Sequence, residues 1–218
     1  MTYIDFLSPL HKKTKRNYFE RMNEAKAGII EIAKKYDYGY WDGDRNTGYG
    51  GYRYDGRWKV VAEAIVKHYN LNQNSKVLDV GCGKGFLLYE LAQVVPGISV
   101  QGVDISQYAI EHAKEEIKPY LKIGNATALP YGDNSFDLVI SLNTLHNLYC
   151  YDLEKALKEV ERAGKNKYIV VESYRNEQEK VNLMCWVLTG ECFFTPDEWR
   201  WWFERMGYKG DYSFIYFE

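Results

Sequence analysis

The chain has 218 residues, 46% hydrophobic and 27% charged, a composition that suits one well-packed domain and excludes wholesale disorder. A net charge of −2 gives no general pull towards nucleic acid or acidic lipid, so neither is an expected partner. No apolar run reaches the roughly 18 residues of a membrane span, and the polar N-terminus, broken by Pro9, lacks the apolar centre of an export signal. Cys82, Cys150, Cys185 and Cys192 have neither CxxC nor metal-site spacing, which reads as reduced thiols in a cytoplasmic protein with no bound metal.

In chain order, residues 15–35 and 57–69 each carry an apolar stripe and read as helices. Between them, residues 36–56 (YDYGYWDGDRNTGYGGYRYDG) are too rich in Gly and Tyr for either regular structure. A loop this long in a compact chain is usually functional, and its aromatics argue against leaving it in water. We therefore divide the chain into an N-terminal helical and aromatic-loop extension, 1–74, and a domain, 75–218. From residue 76 strands and helices alternate: strand 76–80, helix 86–95, strand 98–104, a helix capped by Ser106 and running to 118, strand 120–123, strand 136–142, helix 152–163 and strand 167–172. Thr195-Pro196-Asp197-Glu198 is a capping box with proline at the first helical position, opening a helix to about Met206. Residues 208–218 read as two short strands turning about Gly210-Asp211, hence an antiparallel hairpin at a sheet edge. The alternation predicts an α/β fold with a mostly parallel sheet and helices on both faces.

The segment VLDVGCGKGFLL at 77–88 carries strand, glycine turn and helix in one run. Glycines let the backbone turn sharply and approach a ligand, and the helix start favours polar or anionic groups. Asp104 ends the next strand, where an acid can accept hydrogen bonds from ribose hydroxyls. A dinucleotide site favours a further glycine at position 86, which is Phe86, and Asp79 would add charge beside a pyrophosphate. An acid at position 79 suits a ligand with a cationic amine or sulfonium.

Here the chain resembles the class I S-adenosylmethionine-dependent methyltransferases. The likeness is carried by VLDVGCGKG at 77–85, GVDIS at 102–106, GNATALPY at 124–131, FDLVISLNTLHNL at 136–148 and YIVVES at 168–173. It implies a Rossmann-like sheet of seven strands whose last is antiparallel, and S-adenosylmethionine as cofactor. It also implies that Asp79, Gly81, Cys82 and Gly83 line the methionine moiety, that Asp104 holds the ribose and that Ile105 packs on adenine. Asn125 stands where the family often has Asp, beside Ala126 at the adenine edge, and Ser141 and Leu142 run alongside the cofactor.

Methyl transfer asks the protein mainly for positioning and exclusion of water, with a base where the acceptor is a hydroxyl or protonated amine. His146 follows the fourth strand and has a suitable intrinsic pKa; the competing reading is a histidine that only shapes the pocket wall. Asn143 could orient the acceptor, and Glu172, at a strand end, could pair with a cationic one. Tyr49, Tyr52, Arg53, Tyr54 and Arg57 are candidates for a lid, with Arg53 or Arg57 pairing with the cofactor carboxylate. In the family the region around Trp186 helps build the acceptor pocket. The chain lacks the Asn/Asp-Pro-Pro-aromatic run and the Pro-Cys pair of the common DNA-modifying branches. The expected acceptor is a small polar metabolite such as a sugar or amine, methylated on N or O. A non-catalytic cofactor-binding subunit and a NAD-type oxidoreductase are the alternatives. Oligomeric state is not encoded in any motif.

Overall fold

The computed structural model describes residues 1–11, 16–22 and 25–218. Its helices are α1 (Ser8–His11), α2 (Tyr18–Met22), α3 (Lys26–Ala33), α4 (Tyr38–Trp41), α5 (Lys59–Tyr69), α6 (Phe86–Val94), α7 (Gln107–Glu111), α8 (Cys150–Ala163), α9 (Glu177–Trp186) and α10 (Pro196–Arg205). Its strands are β1 (Lys76–Val80), β2 (Ser99–Asp104), β3 (Leu121–Ile123), β4 (Phe136–Leu142), β5 (Gly164–Glu172) and β6 (Asp211–Ile215).

The strands form one sheet in the order β3-β2-β1-β4-β5-β6, every neighbouring pair parallel. A strand covered on both faces needs apolar residues on both, and β1 has them. Val77 packs with Ile65 of α5, Leu87 and Leu91 of α6 and Leu138 and Ile140 of β4. Leu78 and Val80 lie in the other layer, with Val139, Leu153 and Leu157 of α8 and Trp199 and Phe203 of α10. The chain builds outward from β1 to β3, then crosses to β4 on the other side, so a crevice opens at the carboxyl ends of β1 and β4, where such sheets hold ligands.

Three expectations change. The described residues contain six strands, not seven, and the last one is not antiparallel: Tyr168 to Glu172 of β5 pair in parallel register with Asp211 to Ile215 of β6. The expected hairpin has only its second strand, because residues 208–210 form no strand and β6 arrives after the α10 crossover, a connection that returns the chain in the same direction. Its free edge is taken by the N-terminus, where Tyr3 bridges Tyr212, Ile4 N–H donates to Tyr212 O at 2.9 Å and Tyr212 N–H to Thr2 O at 3.0 Å. Secondly, the helix capped by Ser106 ends at Glu111, and Ile117 reaches the core through turns, packed under Gly85. Thirdly, the single helix read over 15–35 is α2 and α3, with Lys15 and residues 23–24 outside the described residues.

Candidate active site

The glycine turn is closely covered by neighbouring side chains. Gly81, Gly83 and Gly85 all have positive φ, at 81°, 53° and 69°. A β-carbon on Gly81 would meet Thr144 Oγ1 at 2.1 Å, and one on Gly83 would meet the Trp41 ring at 2.8 Å, so neither position admits a side chain. Asp104 is gripped by two amides, Gly83 N–H to Oδ2 at 2.7 Å and Ser106 N–H to Oδ1 at 2.8 Å. Burial raises its pKa, and these bonds to the ionised form act against the rise. Asp79, 4% exposed, has one oxygen, Oδ1, without a hydrogen-bond partner. Burial, and then the charge of Asp104, push its pKa up to about 8. Around these groups lies a cavity of about 330 Å³ whose wall includes Asp79, Gly81, Gly83, Asp104, Ile105, Asn125 and Leu142.

The Tyr/Gly-rich segment forms the opposite wall. Asp37 caps α4 through Gly39 N–H. That places Trp41 over the glycine turn, its Nε1–H donating to Ser106 Oγ at 2.9 Å and to Tyr36 O at 3.1 Å. Trp41 stacks on Tyr49 at 5.3 Å, and Tyr52 on Phe86 at 5.0 Å. A salt bridge pins the segment: buried Lys84 Nζ lies 2.7 Å from Asp42 Oδ2, which also accepts from Tyr108 O–H at 2.9 Å. Burial raises the Asp42 pKa, but the bonds from Lys84 and Tyr108 prevail and hold it below the usual carboxylate range.

A second cavity, about 400 Å³, adjoins the first. Tyr40, Tyr49, Tyr52, Trp58, Asn143 and Asn147 line both. Asn143 has positive φ, 56°, and a buried Oδ1 without a hydrogen-bond partner. His146 and Glu172 also line the second cavity. Glu172 N–H donates to His146 Nδ1 at 3.4 Å, which leaves the ring proton on Nε2, 3.5 Å from Glu172 Oε2. That oxygen has no hydrogen-bond partner. Burial drives the His146 pKa down to about 3. It pushes Glu172 up to about 7, with Arg16 opposing.

The residues singled out in the sequence thus fall in different places. Asp79, Gly81, Cys82, Gly83, Asp104, Ile105, Asn125, Ala126 and Leu142 line the first cavity. Ser141 does not; it is fully buried and its hydroxyl donates to Val80 O. Asn125 turns its Oδ1 to Thr127 N–H and O–H. Tyr49 and Tyr52 line both cavities, while Asn143 joins His146, Glu172 and Trp186 at the second. Arg57 lies at the second cavity, held by Asp55 at 2.5 Å, and lines no part of the first. Arg53 and Tyr54 line neither, and the Tyr54 hydroxyl donates to Glu90. Sequence reasoning missed Trp41, Trp58, Thr144, Arg16, Arg21 and Arg45. Trp41 left a usable signal as the one tryptophan of the aromatic segment; the arginines left none, since no spacing ties residues 16, 21 and 45 to β4 or β5.

A family described as "Methyltransferase domain" matches residues 71–207. The demethylmenaquinone methyltransferase of Symbiobacterium thermophilum is 33% identical over 128 residues, 54% of this chain and 50% of that protein. The chain spans about half the length of the curated relatives it matches. Among solved structures, an S-adenosylmethionine-dependent methyltransferase of Methanosarcina mazei superposes with a TM-score of 0.53 at 26% identity, covering 65% of this chain and 82% of that one. The YcgJ protein of Bacillus subtilis superposes with a TM-score of 0.56 at 22% identity, covering 66% of each, which bears on the fold alone.

Proposed function

The chain belongs to the methyltransferase-domain family, and from that premise we propose that it transfers a methyl group from S-adenosylmethionine to a nitrogen or oxygen of a small polar acceptor. The observation that carries this reading is Asp79. A buried carboxylate with an unpartnered oxygen beside a glycine turn suits a cationic ligand and disfavours a pyrophosphate. The residues present fit the cofactor: Asp79 for its positive groups, Asp104 for the ribose, and Ile105, Asn125 and Ala126 for the adenine. When bound, the cofactor supplies an electrophilic methyl carbon on a sulfonium, activated without help from the protein.

The chain's own work is then threefold. Trp41, Tyr49 and Tyr52 close the cofactor cavity and limit water. Asn143, between the cavities, orients the acceptor through its free Oδ1. Glu172 accepts the acceptor's proton on Oε2, and His146 is a positioning residue that directs Nε2–H at that carboxylate. His146 itself makes a poor base, since its Nδ1 already accepts a bond and burial opposes its protonation.

Calorimetric titration with S-adenosylhomocysteine and with NAD, on the parent and on Asp104→Asn, tests the cofactor. Micromolar binding of the adenosyl thioether, weakened about tenfold or more in the variant, is the expected result. Binding of NAD alone would overturn the reading.

A further inference from the structure

Two of the four cysteines meet at a place the transfer chemistry does not use. Cys150 Sγ and Cys192 Sγ are 3.8 Å apart, in van der Waals contact, although 42 positions separate them in the chain. Cys150 is the first residue of α8 and is exposed, whereas Cys192 is 2% exposed. A disulfide needs about 2.05 Å, so closure asks for a movement of less than about 2 Å, which is available to a side chain at the surface. The other two thiols lie elsewhere: Cys82 Sγ–H donates to Gly83 O at 3.6 Å in the glycine turn, and Cys185 is buried in α9.

The pair joins two stretches that wall the cavities. His146 and Asn147, just before Cys150, line the second cavity, and so do Leu188 and Thr189, just before Cys192. Hydrogen bonds tie the stretches together. Glu191 N–H and Cys192 N–H both donate to His146 O at 2.9 Å, Thr189 Oγ1–H to Asn147 Oδ1 at 2.8 Å and Cys192 Sγ–H to Leu148 O at 3.1 Å. Burial, and then the neighbouring Cys150 sulfur, push the Cys192 thiol up, which keeps it protonated while Cys150 meets solvent.

We propose that Cys150 and Cys192 are a reversible oxidation site for hydrogen peroxide, whose disulfide clamps residues 187–192 to the start of α8 and fixes that wall of the second cavity. The Cys150 sulfur attacks one peroxide oxygen, the O–O bond breaks, and Cys150 becomes a sulfenic acid while the other oxygen leaves as water with the thiol proton. The Cys192 sulfur then attacks the Cys150 sulfur. The S–S bond forms, the S–O bond breaks, and the hydroxyl leaves as a second water with the Cys192 proton. Two thiols thus give up two electrons and two protons, and one peroxide becomes two waters. A dithiol restores both thiols by exchange.

The test treats the reduced full chain with hydrogen peroxide and follows intact mass under non-reducing conditions. The parent should lose two hydrogens, recover them with dithiothreitol, and yield a peptide pair whose fragmentation places the link between Cys150 and Cys192. Cys82→Ser and Cys185→Ser should keep the link and Cys150→Ser should lose it. Cys192→Ser should stop at the Cys150 sulfenic acid, captured by dimedone, with its thermal melt as the check on folding. Amide exchange over residues 187–192 should slow about fivefold or more in the oxidised parent. Accumulation of sulfinic acid on Cys150 without a link in the parent, a link between other cysteines or between molecules, or unchanged exchange over 187–192 overturns the proposal. None of these outcomes depends on the methyltransferase reading.

Discussion

At residue scale the site is defined by three buried oxygens without hydrogen-bond partners, on Asp79, Asn143 and Glu172. Such groups are costly to bury and are kept where a ligand completes them. For Asp79 the sign of the cost can be worked out. Its pKa is raised in the folded protein to about 8, so its contribution lowers stability as pH rises from the ordinary carboxylate value through that point. Asp79→Asn should therefore stabilise the ligand-free protein at pH 8, by roughly 1–3 kcal/mol, with the difference gone by about pH 4; thermal melts across pH will show it. The same variant should bind S-adenosylmethionine about 10- to 100-fold more weakly. In the parent, a cationic ligand selects the ionised carboxylate, so affinity should climb between about pH 6 and 8 and then level off. A flat profile would separate Asp79 from the ligand's charge. Glu172→Gln should lower kcat/KM by about 10²–10⁴-fold with cofactor affinity intact. Activity in the parent should rise as Glu172 ionises, near its pKa of about 7. His146→Phe removes the N–H facing that carboxylate and should move this limb to higher pH, a shift that loss of packing alone would not produce.

At the scale of elements the aromatic segment and the glycine turn make one unit. The turn needs glycine at 83 because Trp41 lies on it, and Trp41 lies there because Asp37 caps α4 and Asp42 holds Lys84. Cutting that tie should loosen the wall without touching the sheet. Asp42→Ala leaves Lys84 buried and unpaired and should lower stability by about 1–2 kcal/mol, a figure reduced for the partly exposed Asp42. It should also speed dissociation of the cofactor several-fold, read by stopped-flow fluorescence of Trp41. An unchanged off-rate would mean that the segment is fixed by its ring stacking alone.

At the scale of the whole molecule, the sheet's far edge depends on the first residues of the chain. Thr2 and Ile4 bond Tyr212 of β6, and Tyr168 O–H donates to Ile4 O at 2.8 Å. Deleting residues 1–4 removes these bonds and bares an edge strand, so the melting temperature should fall by a few degrees, about 1–3 kcal/mol, and aggregation on heating should increase. Much of the fold is legible in the sequence. The β1 run and the glycine turn are contiguous and Asp104 ends the very next strand, so short-range rules of strand, turn and helix start define their geometry. The same holds for the Thr195 capping box, found with both its reciprocal bonds. The direction of β6 was not legible, since a terminal apolar strand fits either direction until its edge partner is known. Nor was the second cavity, which draws Arg16, Arg45, His146, Glu172 and Trp186 from five separate stretches of chain. Local sequence determined the elements and the glycine turn, because those depend on backbone preferences and periodic burial within a few residues. The charge and shape of the second cavity were decided only by tertiary packing, because side chains far apart in sequence set its field together.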